Sequence, residues 1–241
     1  MSEKLLIPSI EKRLGALLES TRRKEAVSET KDRSGKNRPT ITISREFGCE
    51  AYPMAERLRE LMEKKTKESW ILMDKALLEE VALNHNLSEE MLQGLGEKTR
   101  FLDEIIATFS PSWRTEKDHY RLLCRHIMSL ANMGNVIIMG QGSAIITKTM
   151  KNCHHFRMYA TTATKTRSIA RRLGLSDEEA EKLMSKKQQK RDRFVRDFLN
   201  QDAKDLSFYH LVFNCDKNTS ERISHTIMEY VLMNNNGADQ G

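Results

Sequence analysis

Thr40-Ile41-Thr42-Ile43-Ser44-Arg45-Glu46-Phe47-Gly48 is the most informative stretch of this 241-residue chain. Its β-branched run predicts a strand over 40–44 and its glycine a tight loop. Met54, Leu58 and Leu61 at helical spacing predict an amphipathic helix over about 53–66, starting near Pro53. Strand, loop and helix N-terminus in this order make a cradle for an anion, because free amide N–H groups and the positive end of the helix dipole converge on one point. The loop is irregular for that purpose. A regular phosphate loop reads G-x-x-x-x-G-K-[ST], with a lysine for the β- and γ-phosphates and a hydroxyl for the metal ion. Here the last positions are Glu50, Ala51 and Tyr52.

On either side of that stretch, short apolar runs alternate with long helical patterns, which predicts a parallel sheet with helices on both faces. Strands are expected near 40–44, 70–73, 135–139, 155–160 and 209–214. Helices are expected at about 53–66, 75–85, 88–94, 98–109, 115–133, 143–150, 163–173, 176–199 and 218–233. Thr115 three residues before Asp118, and Ser176 three before Glu179, read as N-caps. In an open α/β sheet ligands collect beyond the carboxyl ends of the strands, so the loops after Ser44, Met73, Met139 and Tyr159 should line one crevice.

The chain suffices for one such domain, over 37–233, with a helical extension and linker at 1–36 and a disordered tail at 234–241. Ile10, Leu14, Leu17 and Leu18 give the extension an apolar stripe. That stripe predicts a helix folded back on the core or exchanged in a homodimer. Four dispersed cysteines without a C-x-x-C pair indicate neither a disulfide framework nor a zinc site, and point to the cytoplasm. No apolar run approaches the ~20 residues of a membrane span. The net charge is +6, yet residues 1–40 hold ten Lys/Arg against six Asp/Glu and so account for +4 of it. The body is left nearly neutral, which argues against a nucleic-acid partner and for a small phosphorylated ligand.

Beyond the first strand, Trp70-Ile71-Leu72-Met73-Asp74-Lys75 is followed by Leu77-Leu78-Glu79-Glu80-Val81-Ala82 and Leu87-Ser88-Glu89-Glu90. Downstream lie Gly134-Asn135-Val136-Ile137-Ile138-Met139-Gly140-Gln141-Gly142 and a helix from Gly174-Leu175-Ser176 to near Asp202. In this order the segments resemble the cytidylate kinase-like family, a branch of the P-loop nucleoside monophosphate kinases whose first strand runs into S-R-E-F/Y-G-S-G-G. The resemblance spans about residues 39–232. It implies a three-layer α/β P-loop kinase-like fold, with a parallel sheet of about five strands flanked by helices and a helical lid. It also implies transfer of the ATP γ-phosphate, with Mg2+, to a nucleoside monophosphate such as CMP or a related acceptor.

The same resemblance assigns the donor phosphates to the loop Ser44, Arg45, Glu46, Phe47, Gly48, Cys49, Glu50 and Ala51, with Arg45 adding charge. An ion pair of Arg45 with Glu46 or another acid is an equal reading of that residue. Glu50 stands where the family has glycine, and its carboxylate would repel a polyphosphate unless turned to water. Gly140-Gln141-Gly142 matches the family's G-R-G, whose arginine contacts substrate phosphate; Gln141 removes that charge, and a plain strand-to-helix turn also explains the segment. Asp74 matches a position facing the monophosphate site, or caps the helix after it. Arg191 and Arg193, in the basic run 186–196, match the paired lid arginines that clamp the transferred group, unless this run is a solvated helix face. Asp202 and Asp205 match a D-W-x-D segment with Ala203 in place of tryptophan. Cys49 could be activated by a helix N-terminus or be only a small residue. No protein metal cage is visible, which leaves Mg2+ to phosphates and water. The replaced loop and Gln141 keep a second reading open, a catalytically degenerate nucleotide sensor.

Overall fold

The computed structural model describes residues 38–83 and 116–237, together with Ser9, Arg13 and Gly15. Five strands form one sheet: β1 (Thr40–Arg45), β2 (Ile71–Met73), β3 (Val136–Met139), β4 (Cys153–Tyr159) and β5 (Leu211–Asn214). Their spatial order is β2-β3-β1-β4-β5, and every pairing is parallel. Between and after them run α1 (Ala51–Thr66), α2 (Lys75–Leu83), α3 (Glu116–Met133), the short α4 (Ser143–Ile146), α5 (Thr162–Leu173), α6 (Asp177–Leu199) and α7 (Ser220–Gly237).

Successive side chains of a strand point to opposite faces, and here both faces are covered. Ile41 and Ile43 of β1 and Ile137 and Met139 of β3 pack with Met54, Leu58 and Met62 of α1 and with Ile223, Ile227 and Val231 of α7. One residue out of step, Val136 and Ile138 meet Leu77, Leu78 and Val81 of α2 and Leu123, Ile127 and Leu130 of α3. The result is the expected three-layer α/β fold. Ile41 and Ile43 are fully buried, and each such side chain stabilises the fold by about 1.5–3 kcal/mol.

A smaller cluster joins α5 and α6 to the loop after β1. Ile169, Ala180 and Met184 gather around Phe47 of the first loop. Ser176 caps α6 as anticipated: its hydroxyl accepts from the Glu179 amide while the Glu179 carboxylate accepts from the Ser176 amide. Gly174 and Asn200, both left-handed, end α5 and α6.

Several boundaries differ from expectation by two residues or more, and three of them bear on the packing. The helix over 143–150 stops at Ile146, and turns closed by Met150 N to Thr147 O and Cys153 N to Met150 O lead into the next strand. That strand begins at Cys153 rather than 155, because Thr40 N donates to Asn152 O and fixes the register Thr40 to Cys153. α7 continues through Asn234, whose side-chain amide donates to Tyr230 O, so 234–237 are helical rather than a disordered tail. The predicted helices at 88–94 and 98–109, the Thr115 cap and most of the leading helix lie outside the described residues. Among the described residues no helix is long and apolar enough to cross a membrane.

Candidate functional site

Parallel strands place the carboxyl ends of β1 and β3 on the same side of the sheet, and a crevice of about 340 Å³ opens there. It is bounded by Ser44, Arg45 and Phe47, by the turn 140–142, by α6 and by the segment from Ala203 to Tyr209. Six cationic side chains line it, Arg45, Lys75, Arg157, Lys187, Lys190 and Arg191, against one acidic side chain, Asp192. That imbalance selects for an anion.

The turn after β3 shapes the crevice floor. Gly140, Gln141 and Gly142 all have left-handed backbone, with φ of 76°, 59° and 72°. A Cβ on Gly140 would stand 2.1 Å from a terminal nitrogen of Arg45, and one on Gly142 would stand 2.3 Å from Leu199 Cδ1. Gln141 alone bears the strain of a side chain in this conformation, about 1–2 kcal/mol. Its side chain borders the crevice and the next groove. Gly140→Ala should therefore displace the Arg45 guanidinium and cost at least about 1–2 kcal/mol from backbone strain alone. Denaturant titration and phosphate-binding calorimetry on the same variant measure both effects.

Arg45 leans on that turn rather than on Glu46. The Glu46 carboxylate is instead held by Lys165 Nζ at 2.6 Å and by Arg157 at 3.8 Å. The Arg45–Glu46 ion pair is therefore not what the fold builds. Burial first, and the Arg191 guanidinium second, lower the Arg45 pKa to about 10, which leaves it charged at neutral pH. Arg191 crosses the Phe47 ring at 5.0 Å, donates to Arg45 O at 3.3 Å, and has its own pKa lowered, mostly by burial.

Arg157 completes the cationic wall, and sequence reasoning missed it. It is 5% exposed, opposite Ser44 in register, and donates to Ala203 O at 2.8 Å and Ser44 Oγ at 3.3 Å. The Tyr209 hydroxyl donates to the same two acceptors, and the Arg157 guanidinium sits 5.6 Å from the Tyr209 ring centre. The available signal was an arginine inside a strand whose neighbours are apolar. Ala203, which replaces the expected tryptophan, contributes through its backbone carbonyl. Asp202 and Asp205 accept from Lys204 N and Ser207 N and shape the local turns.

The loop after β1 is partly engaged. Glu46 N donates to Met158 O, Cys49 N to Glu46 O and Ala51 N to Cys49 O. Phe47 N donates to Gln188 Oε1 of α6 at 2.8 Å. Gly48, at φ 101°, lets the loop lie against Lys165, whose Cβ would be 2.7 Å from an added methyl group. Glu50 is turned to α5, where Ser168 Oγ at 2.8 Å and Arg171 at 2.9 Å bind its carboxylate. Pairing there weakens the repulsion that its position in the loop predicts. Cys49 is not an activated thiol: donation to Cys215 and burial push its pKa up.

Two predicted site residues do not line the crevice. Asp74 caps α2, its Oδ1 accepting from Leu77 N at 3.0 Å, and its Oδ2 pairs with Arg13 of the leading segment at 2.6 Å. The helix cap is thus present, and the ion pair brings Arg13 of the same chain back onto the body. Arg193 lies two positions along α6 from Arg191 and faces a neighbouring groove of about 850 Å³ with Tyr120, Phe194 and Phe198. Two residues advance a helix by about 200°, so the pair cannot share one face. Arg191 is half-buried and Arg193 exposed. Among the described residues no cluster of His, Cys, Asp or Glu could hold a metal ion. His154 and His155 instead each pack against His210, and His154 and His210 against Tyr230.

A family model for the cytidylate kinase-like family matches residues 40–217. Among solved structures, an uncharacterized protein from Eubacterium ventriosum ATCC 27560 superposes with a TM-score of 0.62 at 18% identity, over 81% of this chain and 99% of that one. It shares the fold. A shikimate kinase from Bacteroides thetaiotaomicron superposes more loosely, with a TM-score of 0.43 at 14% identity, over 81% of this chain and 98% of that one. No curated protein matches.

Proposed function

This chain belongs to the cytidylate kinase-like family, and from that premise we propose that it transfers the ATP γ-phosphate to a nucleoside monophosphate such as CMP, or to a related small phosphorylated acceptor. The observation that supports this reading is the crevice itself, with six cations and one acid at the carboxyl ends of β1 and β3. A phosphotransferase must bring two anions together and neutralise charge spreading over the group in flight, and little covalent chemistry is asked of the protein. Arg45 and Arg191 stand closest to that task. Both are partly withdrawn from water, where a fixed guanidinium is stronger than in solution. Arg157 holds Ser44 and Ala203 in place and adds a third charge from below. Gly140 and Gly142 let backbone approach the acceptor.

Among the described residues no cluster of His, Cys, Asp or Glu could hold magnesium. Asp74 is committed to Leu77 and Arg13, and Asp192 to Gln188 and Lys204. The residues fit phosphate oxygens rather than a metal, so any Mg2+ would arrive with the donor's phosphates.

A second reading, a nucleotide-binding protein without turnover, has its own supporting observation. Gln188 already occupies the Phe47 amide, one of the donors that a triphosphate would need. Calorimetry with ATP and with CMP, followed by a phosphate-transfer assay, separates the two. Transfer supports the first reading, and binding of either nucleotide without transfer supports the second. Absence of both would overturn the site.

A further inference from the structure

The loop after β1 has no lysine of its own, since Glu50, Ala51 and Tyr52 fill the last positions of a regular phosphate loop. A lysine nevertheless reaches that loop from farther along the chain. Lys165 stands in the first turn of α5, whose start is fixed by the Asp216 carboxylate, which accepts from the Thr161 amide at 2.9 Å and the Thr161 hydroxyl at 2.8 Å. Lys165 N donates in turn to Thr161 O at 3.1 Å. The side chain then runs against Gly48, where an added Cβ would meet Lys165 Cβ at 2.7 Å and Cγ at 3.0 Å, so glycine at 48 lets the stem pass. Its ammonium ends 2.6 Å from Glu46 Oε2, with the side chain 13% exposed.

A cation in the first turn opposes the helix dipole, and no acidic residue stands in that turn of α5 to offset it. Helix stability alone does not call for this lysine. Glu46 is not its sole claimant either, because the other carboxylate oxygen faces Arg157 at 3.8 Å. Close by, the amides of Gly48 and Glu50 have no acceptor among the described residues.

We propose, on the reading that the loop 44–51 holds the donor phosphates, that Lys165 takes the part of the absent loop lysine and binds the phosphate oxygens of ATP from α5. An ammonium carries three donors on a flexible stem, so one hydrogen bond to Glu46 leaves two for a ligand. Glu46 then acts as a positioning residue: it holds the ammonium at the loop until the nucleotide arrives, and Arg157 helps to balance its charge while the lysine is shared.

Calorimetry with ATP on the full-length protein and on Lys165→Met, Glu46→Gln and the double variant tests this. Lys165→Met should raise the Kd for ATP by about ten- to a hundredfold, the loss that goes with one charge-assisted hydrogen bond. A lysine that merely neutralised Glu46 would become dispensable once Glu46 is Gln, so the double variant would bind ATP as tightly as Glu46→Gln alone. The expected result is a double variant still weaker than Glu46→Gln by about tenfold or more. A second readout needs no substitution: in the wild-type protein, saturating ATP should slow acetylation of Lys165 several-fold relative to the exposed Lys182, measured by mass spectrometry of the digest. That measurement decides the matter if a variant fails to fold. Equal affinities of Glu46→Gln and the double variant, or a Lys165 acetylated equally with and without ATP, would overturn the role of this lysine while leaving the ATP site standing. A wild-type protein that binds no ATP would overturn both.

Discussion

Arg191→Ala is expected to lower kcat for phosphoryl transfer by about a hundred- to a thousand-fold, the range found when one preorganised donor is removed from a transition state, or roughly 2.7–4 kcal/mol. Arg191 lines the crevice, touches Arg45 O and is half-buried over Phe47. Its charge is therefore fixed in the crevice where the proposed transfer would take place. Arg193→Ala is expected to change kcat by only a few-fold, with any loss appearing in the KM for the acceptor, because Arg193 is exposed on another face of α6. Steady-state kinetics of the two variants, each checked for folding by circular dichroism, measures the contrast. Equal losses of kcat would show that the two arginines act together as the motif implies, and that the separation of their faces does not persist during turnover.

The second large effect concerns stability in acid. His154 and His155 are buried in β4, and burial, followed by the neighbouring His210, lowers their pKa values to about 4 and about 3. His155 is further fixed by a 2.8 Å hydrogen bond between its Nδ1 and Thr42 Oγ1. Their ordinary value is near 6.5, so the unfolded chain takes up protons first as pH falls. Stability is complete above about pH 6.5 and declines through the interval down to pH 4 and 3. At pH 5 each histidine should already have cost about 2 kcal/mol, and the pair is then comparable with much of a domain's 5–15 kcal/mol total. Urea midpoints between pH 7.5 and 4.5 measure the decline, and a flat profile would show that these rings are hydrated. His126, buried in α3 with its pKa also lowered to about 4, adds a like share, so His155→Gln should flatten the profile by about a third, even if the variant starts lower.

How much of this was legible beforehand follows from the kind of physics at each position. All five strands were visible as short apolar runs; those of β1 to β4 are mostly buried, whereas the edge strand β5 is only half-buried. β1 could be read together with its loop because β-branched residues, a glycine and a helical period occur in immediate succession. Where the end of an element depends on a distant hydrogen bond the reading failed: the Thr40 contact with Asn152 that sets the start of β4 crosses more than a hundred residues of chain.

The site divides along the same line. Arg45, Gly140 and Arg191 were identified by motif, and the fold brings them into one crevice. Asp74 was ambiguous because a helix cap and a ligand contact demand the same short carboxylate, and only the arrival of Arg13 distinguishes them. Arg157 carried a weak signal, one charge within an apolar strand. The orientation of Glu50 carried none, because it depends on Ser168 and Arg171 from a helix far along the chain.

The hydrogen bond from Phe47 N to Gln188 has a kinetic consequence. Since the same loop residue is also clasped by Ile169, Ala180 and Met184, uncovering its amide requires part of α6 to swing outward. Nucleotide capture would then proceed at the tempo of a helix rather than of diffusion. Association would be slow for so open a basin, weakly dependent on ionic strength, and quickened when Gln188 is shortened to alanine.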